Sequence, residues 1–289
     1  MVRHCLAAAC LVVALAIPAF TSCAKAPSME LVAGTADLRD VVATLTGDPA
    51  GVQGLIPPAM CPGHYDIRPS DIQRVKHATA LLIHPWQQDM PNVRRVVETA
   101  QVDPARIRVV PVEGTLMVPE VRLQAVEALV PILGAIVPAK AGAIQQRAMQ
   151  LSAEIQRIAN AQRARLEVAP IHGAAAVCNE MQVPLAQWAG FSIAATFGRS
   201  EGLSAAQVAE VIDRARRAGA ILVIDNLQSG DTQVGAMVAR EIGVPHVVLS
   251  NFTGGLPGAD SWSETIGENV RRLVESLPTG QETDDGSHH

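Results

Sequence analysis

Apolar positions along this chain change their period in a regular way. Short β-branched runs read as strands at Glu30–Ala33, Val52–Ile56, Ala80–Ile83, Ile107–Val112, Ala174–Val177, Ser192–Phe197, Ile221–Ile224 and His246–Leu249. Between them the apolar residues shift to helical spacing. Val93, Val96, Val97 and Ala100 form one stripe, Val208, Val211, Ile212 and Ala215 another, and Ile266, Val270, Leu273, Val274 and Leu277 a third. Ser70-Asp71-Ile72-Gln73 and Ser204-Ala205-Ala206-Gln207 read as capping boxes that start helices. Strand–helix alternation of this kind predicts an α/β architecture with parallel sheets.

The alternation stops between Glu120 and Glu167, where helix formers are punctuated only by Pro131 and Pro138. Pro138 suits the first turn of a helix, where its missing N–H costs nothing. Ile144, Ala148, Leu151, Ile155 and Ile158 then make an apolar stripe about four turns long. A helix of roughly 28 residues reaches about 40 Å, enough to join two lobes. The expected organisation is a leader at 1–22, an α/β lobe at 28–118, a helical linker at 119–167, a second α/β lobe at 168–280 and a polar tail at 281–289. Each lobe would carry a mainly parallel four-stranded sheet.

Composition narrows the function classes. The 289 residues include 23 Lys+Arg against 28 Asp+Glu, for a formal charge of −5, and only 3% are aromatic. Neither a basic patch nor stacking material for nucleic acid is present, so nucleic acid is not an expected partner. The single long apolar run, Leu6 to Phe20, is shorter than the roughly 20 residues of a membrane span. With Arg3 before it and Phe20-Thr21-Ser22-Cys23 after it, the run has the layout of a secretory signal peptide. Small residues directly before Cys23 resemble a bacterial lipobox, which implies lipidation of Cys23 and a membrane anchor. Cleavage after Ala24-Lys25-Ala26 is the alternative. Either processing places the mature protein in the periplasm or cell envelope.

Cys5 and Cys10 leave with the leader and Cys23 would carry the lipid, so Cys61 and Cys178 remain. In an oxidising compartment they form a disulfide or are kept for a purpose such as metal binding. Ligands of open parallel sheets bind beyond the carboxyl ends of the strands, which directs attention to the residues there. These are Cys61-Pro62-Gly63-His64, His84-Pro85-Trp86, Glu113-Gly114-Thr115, Cys178-Asn179-Glu180, Gly198-Arg199-Ser200, Asp225-Asn226 and Ser250-Asn251. A thiolate and an imidazole in one Pro-rich loop, as at Cys61 and His64, can chelate a single ion. His77, His172 and His246 precede strands and read as structural.

Gly198-Arg199-Ser200-Glu201-Gly202 also fits the G-x-S-x-G nucleophile elbow, with Asp225 and His246 in the matching chain order. An elbow serine leads straight into its helix, whereas here Ser204 caps the helix four residues later. A serine hydrolase using Ser200 is therefore a second alternative, and no catalytic step is expected. H-E-x-x-H, G-x-x-x-x-G-K-[ST] and G-x-G-x-x-G are absent.

The run Gly47 to Ile83 resembles the amino-terminal lobe of periplasmic solute-binding proteins from zinc and manganese ABC importers, of the ZnuA/TroA-like type. The resemblance rests on Gly47-Asp48 and on a "PP…H-x-Y-x…P-S-D" segment, here Pro57-Pro58, His64-Tyr65-Asp66 and Pro69-Ser70-Asp71. Gly258-Ala259-Asp260-Ser261-Trp262 with Asn269 resembles the family's last helix. The resemblance implies two lobes, a bridging helix, no enzyme activity and a permease partner in the inner membrane. Its first metal ligand falls on His64 and its third on or beside Cys178. The fourth falls near Ser250 or Asn251, which carry no charge. The second falls on Thr115, since Leu116-Met117-Val118-Pro119 replaces the family's W-L-D-P stretch.

With two ligand positions lost, the expected set is Cys61, His64 and Cys178, with His84 or Asp225 as a fourth group. Asn226, Ser250, Asn251 and Thr115 would line the cleft. That set suits zinc or another thiophilic transition metal such as Cu(I), carried as the transported ligand. The alternative is a Cys61–Cys178 disulfide, with a metal chelate or other small molecule as cargo.

Overall fold

A computed structural model describes residues 30–277. The proposed leader, Cys23 and the 281–289 tail lie outside the described residues. The amino-terminal lobe runs β1 (Leu31–Ala33), α1 (Ala36–Thr46), β2 (Val52–Gly54), α2 (Pro69–His77), β3 (Ala80–Ile83), α3 (Pro91–Thr99) and β4 (Ile107–Val109). Two long helices follow, α4 (Pro119–Ile136) and α5 (Ala141–Glu167). The second lobe runs β5 (Ala175–Asn179), α6 (Val183–Trp188), β6 (Ser192–Phe197), α7 (Ala205–Ala218), β7 (Leu222–Asn226), α8 (Gln233–Ile242), β8 (His246–Leu249) and α9 (Trp262–Ser276). Among the described residues, no helix is long and apolar enough to cross a membrane.

Both sheets are parallel and four-stranded, in the orders β2-β1-β3-β4 and β6-β5-β7-β8. All eight expected strands form, with small differences at their ends. In each sheet the chain winds one way from the first strand and the other way from the third. The reversal points lie between β1 and β3 and between β5 and β7.

Helix α5 starts after a short turn at Pro138 and packs against α1 of the first lobe, α4, and α9 of the second. Its Ile144, Ala148, Ile155 and Ile158 join Leu31 and Leu38 of one lobe and Leu249 and Trp262 of the other in one continuous core. The lobes are therefore tied through α5 and not through a flexible linker. Arg122 of α4 is fully buried in this junction, paired with Asp40 of α1 and stacked over the Trp262 ring at 4.9 Å.

One expected cap differs. Helix α2 begins at Pro69, one residue before Ser70, and the Asp71 carboxylate accepts the Arg68 backbone N–H at 2.9 Å. Proline at the first helical position moves the start forward. The Ser204 box forms as expected, with Gln207 accepting the Ser204 N–H at 2.9 Å.

Candidate metal-cargo cleft

The loops that leave β1 and β3 face those that leave β5 and β7 across a cavity of about 450 Å³. Asp37 and His84 contribute from one lobe, and Glu180, Asn226 and Gln228 from the other. The two strand-order reversals thus confront each other, where open α/β sheets bind ligands.

On the first wall, Thr35 caps α1 by accepting the Leu38 N–H, and its Oγ1 lies 3.0 Å from His84 Nε2. Gln87 accepts the His84 backbone N–H at 3.1 Å and donates to the Gly34 carbonyl at 3.2 Å. A Cβ at Gly34 would fall 2.3 Å from the Gln87 side chain, so a larger residue there would displace the Gln87 amide from these bonds. His84 stacks on Trp86 with 5.3 Å between centroids. Burial pulls its imidazole down to about 4, so the ring is neutral at neutral pH. His84 Nδ1 has no hydrogen-bond partner.

Asp37 ties the lobes together. Its carboxylate accepts the backbone N–H of Thr253 at 2.7 Å and the hydroxyl at 2.5 Å. Burial raises this carboxyl to about 6, against the opposing pull of Arg122 and of the Thr253 hydrogen bonds.

The loop with Cys61 and His64 is pinned by Asn92, which donates to the Pro62 and Tyr65 carbonyls at 2.7 and 3.1 Å. Pro62 and Gly63 line the cavity, while His64 stands exposed at its rim. In an H-x-Y pattern the imidazole stands two residues before the tyrosine, and here that place belongs to Gly63. Arg199, from the loop after β6, fills the gap between the lobes. Its guanidinium donates to Cys61 Sγ at 2.8 Å and lies 3.4 Å from His64 Nε2.

On the second wall the strand ends decide which groups arrive. Strand β5 continues to Asn179, so Cys178 lies inside it, beside Thr196 and Ile224. Its side chain shares the face of Ala176 and is wholly buried in the core. Burial, with Asp225 nearby, pushes the thiol well up, away from the thiolate a metal needs. Cys178 is a core residue and not a cleft ligand. Cys61 and Cys178 are both free thiols, so the expected disulfide alternative is not formed.

Strand β7 likewise continues to Asn226. Asp225 therefore takes the Val223 face, away from the cleft, and sits 3.2 Å from His246 Nε2 beneath Gly235 of α8. It also leaves the expected ligand set. Asn226 turns the other way and lines the cavity. Ser250 is buried behind the wall, where it accepts a hydrogen bond from Gln228 at 2.9 Å and donates to the Phe252 carbonyl. Asn251 does line the cavity; its Nδ2 donates to the Met181 carbonyl at 2.9 Å, and its Oδ1 is buried without a partner.

Of the expected residues, His84, Thr115, Asn226 and Asn251 are in the cavity wall, and Cys61 and His64 meet it through Arg199. Asp37 and Gln228 were not expected there, and Glu180 and Arg199, although among the strand-end groups, were not assigned to the cleft. Among the described residues no three of His, Cys, Asp and Glu gather closely enough to hold an ion. No serine-hydrolase triad forms either. Ser200 opens a short turn beyond the carboxyl end of β6 and α7 starts only at Ala205, whereas His246 opens β8 at the amino end of the same parallel sheet, out of reach of Ser200.

The family model described as "Zinc-uptake complex component A periplasmic" matches residues 31–276. No protein of curated function is similar to the chain by sequence. Among solved structures, a deletion mutant of ZnuA with zinc bound superposes with a TM-score of 0.70 at 14% identity, over 87% of this chain and 99% of that one. The solute-binding protein FpvC from Pseudomonas aeruginosa, in complex with Ni²⁺, gives 0.71 at 21% identity over 86% and 96%. A manganese-bound mutant of the periplasmic metal binding protein from Candidatus Liberibacter asiaticus gives 0.71 at 15% identity over 86% and 99%.

Proposed function

The chain belongs to the ZnuA family of periplasmic zinc-uptake components, and from that premise we propose that it is the solute-binding subunit of an ABC importer for a transition metal. The cargo sits between the lobes, and the exposed rims of both lobes dock on an inner-membrane permease. Lipidation at Cys23 would hold the protein at the membrane. The observation that carries this reading is the cavity enclosed by the two facing strand-order reversals, with walls drawn from both lobes. Within it, His84 and Glu180 are the groups offered to a zinc-like ion, and Cys61 and His64 wait at the rim behind Arg199. Helix α5, packed on both lobes, restrains their relative motion. No catalytic step is part of this function.

Elemental analysis of protein isolated from its own cell envelope, without added salts, tests the reading. About one transition-metal atom per chain is expected. Protein free of transition metal from both metal-replete and metal-limited cells would overturn it.

A further inference from the structure

The geometry points to a cargo that arrives already chelated: a transition metal wrapped by a small carboxylate-bearing organic ligand, with Arg199 receiving the carboxylate. This rests on the metal-importer reading above and concerns the same cavity.

Size is the first ground. A bare ion bound by protein needs donors at about 2 Å from one point, and among the described residues no such group of three exists. The cavity of about 450 Å³ instead lies within the roughly 300–1,000 Å³ of small-molecule sites. Gly63 and Thr115 stand where longer ligating side chains would narrow it. Trp86, Met90 and Phe252 add apolar wall that an ion alone does not use.

Charge is the second. A guanidinium in the wall repels a bare dication and attracts an anionic complex. Arg199 has five N–H donors and uses two of them on Cys61 and His64, which leaves the others for a carboxylate. The acids facing it are Glu180 and Asp37, and Asp37 is already engaged by Thr253. Glu180 remains to meet the metal of the complex.

Unsatisfied polar atoms are the third. His84 is 3% exposed and Asn251 8%, both line the cavity, and His84 Nδ1 and Asn251 Oδ1 have no partner. Buried polar groups in native proteins are nearly always hydrogen-bonded, and these two, closed to solvent in the wall as it stands, would gain a partner by a side-chain turn toward a bound ligand. With the ring proton on Nε2 and donated to Thr35, Nδ1 keeps a lone pair for an open position on the metal. Asn251 Oδ1 asks for a hydroxyl or amine of the organic part.

The experiment is calorimetric titration of the purified, reduced protein with nickel chloride, with nickel complexes of citrate, L-histidine and iminodiacetate, with nickel ethylenediamine, and with metal-free citrate. At least one carboxylate complex is expected to bind tenfold or more tightly than the chloride, the ethylenediamine complex and metal-free citrate. Arg199→Gln should weaken that complex about tenfold while leaving the chloride no weaker, and Arg199→Lys should fall between. Unchanged thermal melting shows that the variants fold. Tight, stoichiometric binding of nickel chloride with no gain from any carboxylate complex overturns the inference and leaves the importer reading standing. Equal weakening of salt and complex by Arg199→Gln also overturns it. No binding of any nickel species, joined with metal-free protein from cells, overturns both.

Discussion

Arg199 donates a hydrogen bond of 2.8 Å to the sulfur of Cys61, 138 positions earlier in the chain and in the other lobe. This contact closes one edge of the cleft and screens the thiol. In the native protein neither Cys61 nor the core thiol Cys178 should react readily with N-ethylmaleimide. A chain beginning at Ala24 should show two reactive thiols after denaturation, and Arg199→Ala should speed labelling of Cys61 alone. Peptide mass mapping after timed labelling checks this; a bridged pair would leave no free thiol.

Restoring side chains to the cleft should change its cargo. A Cβ at Gly63 would meet Arg199 and Met90 at 3.6–3.8 Å, which is ordinary contact, so a larger residue enters without displacing backbone. Gly63→His combined with Thr115→His adds two imidazoles to a cavity that already holds His84 and Glu180. The double variant should gain at least tenfold in affinity for zinc chloride, read by competition with a chromophoric chelator. An unchanged affinity would show that these walls do not converge.

The Asp37 carboxyl gives stability a definite pH dependence. Its folded value of about 6 stands above the unfolded value of 3.8. Between those limits the native state binds more protons, so this group's stabilisation is full below the unfolded value and is lost as pH rises through about 6. The slope reaches about 1.4 kcal/mol per pH unit. His84, lowered by burial to about 4 from 6.5, acts in the opposite direction over nearly the same range. Asp37→Asn should therefore unmask acid sensitivity. Urea midpoints from pH 4 to 7.5 should fall more steeply on acidification in the variant than in the parent.

Gly235 inverts a familiar rule. Glycine to alanine within a helix usually stabilises by up to about 1 kcal/mol. At Gly235 the new Cβ would lie 2.2 Å from Asp225 Oδ2 and 2.9 Å from His246 Nε2. Gly235→Ala should destabilise by about 1–3 kcal/mol, read from denaturant unfolding.

The buried Arg122 supplies a coupled test. Its Nε and Nη1 have no partner, and it holds Asp40 and covers Trp262. Arg122→Ala should cost about 3 kcal/mol, as loss of one member of a buried pair does. It should also move the Asp37 transition to higher pH, since Arg122 pulls that carboxyl down. Titration of Asp37 by NMR checks the direction.

The amino-acid sequence by itself determined the eight strands, their parallel pairing class, the long helix at Ala141–Glu167 and the presence of strand-end loops rich in polar groups. Those features follow from the spacing of apolar residues close together in the chain, which neighbours along the backbone enforce. What reaches the cleft was a tertiary decision. Strands β5 and β7 each run two residues past their apparent ends, and because side chains alternate with period two, Cys178 and Asp225 turn into the protein while Asn226 turns toward the cavity. The strand ends are set by hydrogen bonds to neighbouring strands that lie up to tens of residues away. Arg199 between Cys61 and His64 depends on two loops from different lobes meeting, and no local pattern encodes that encounter.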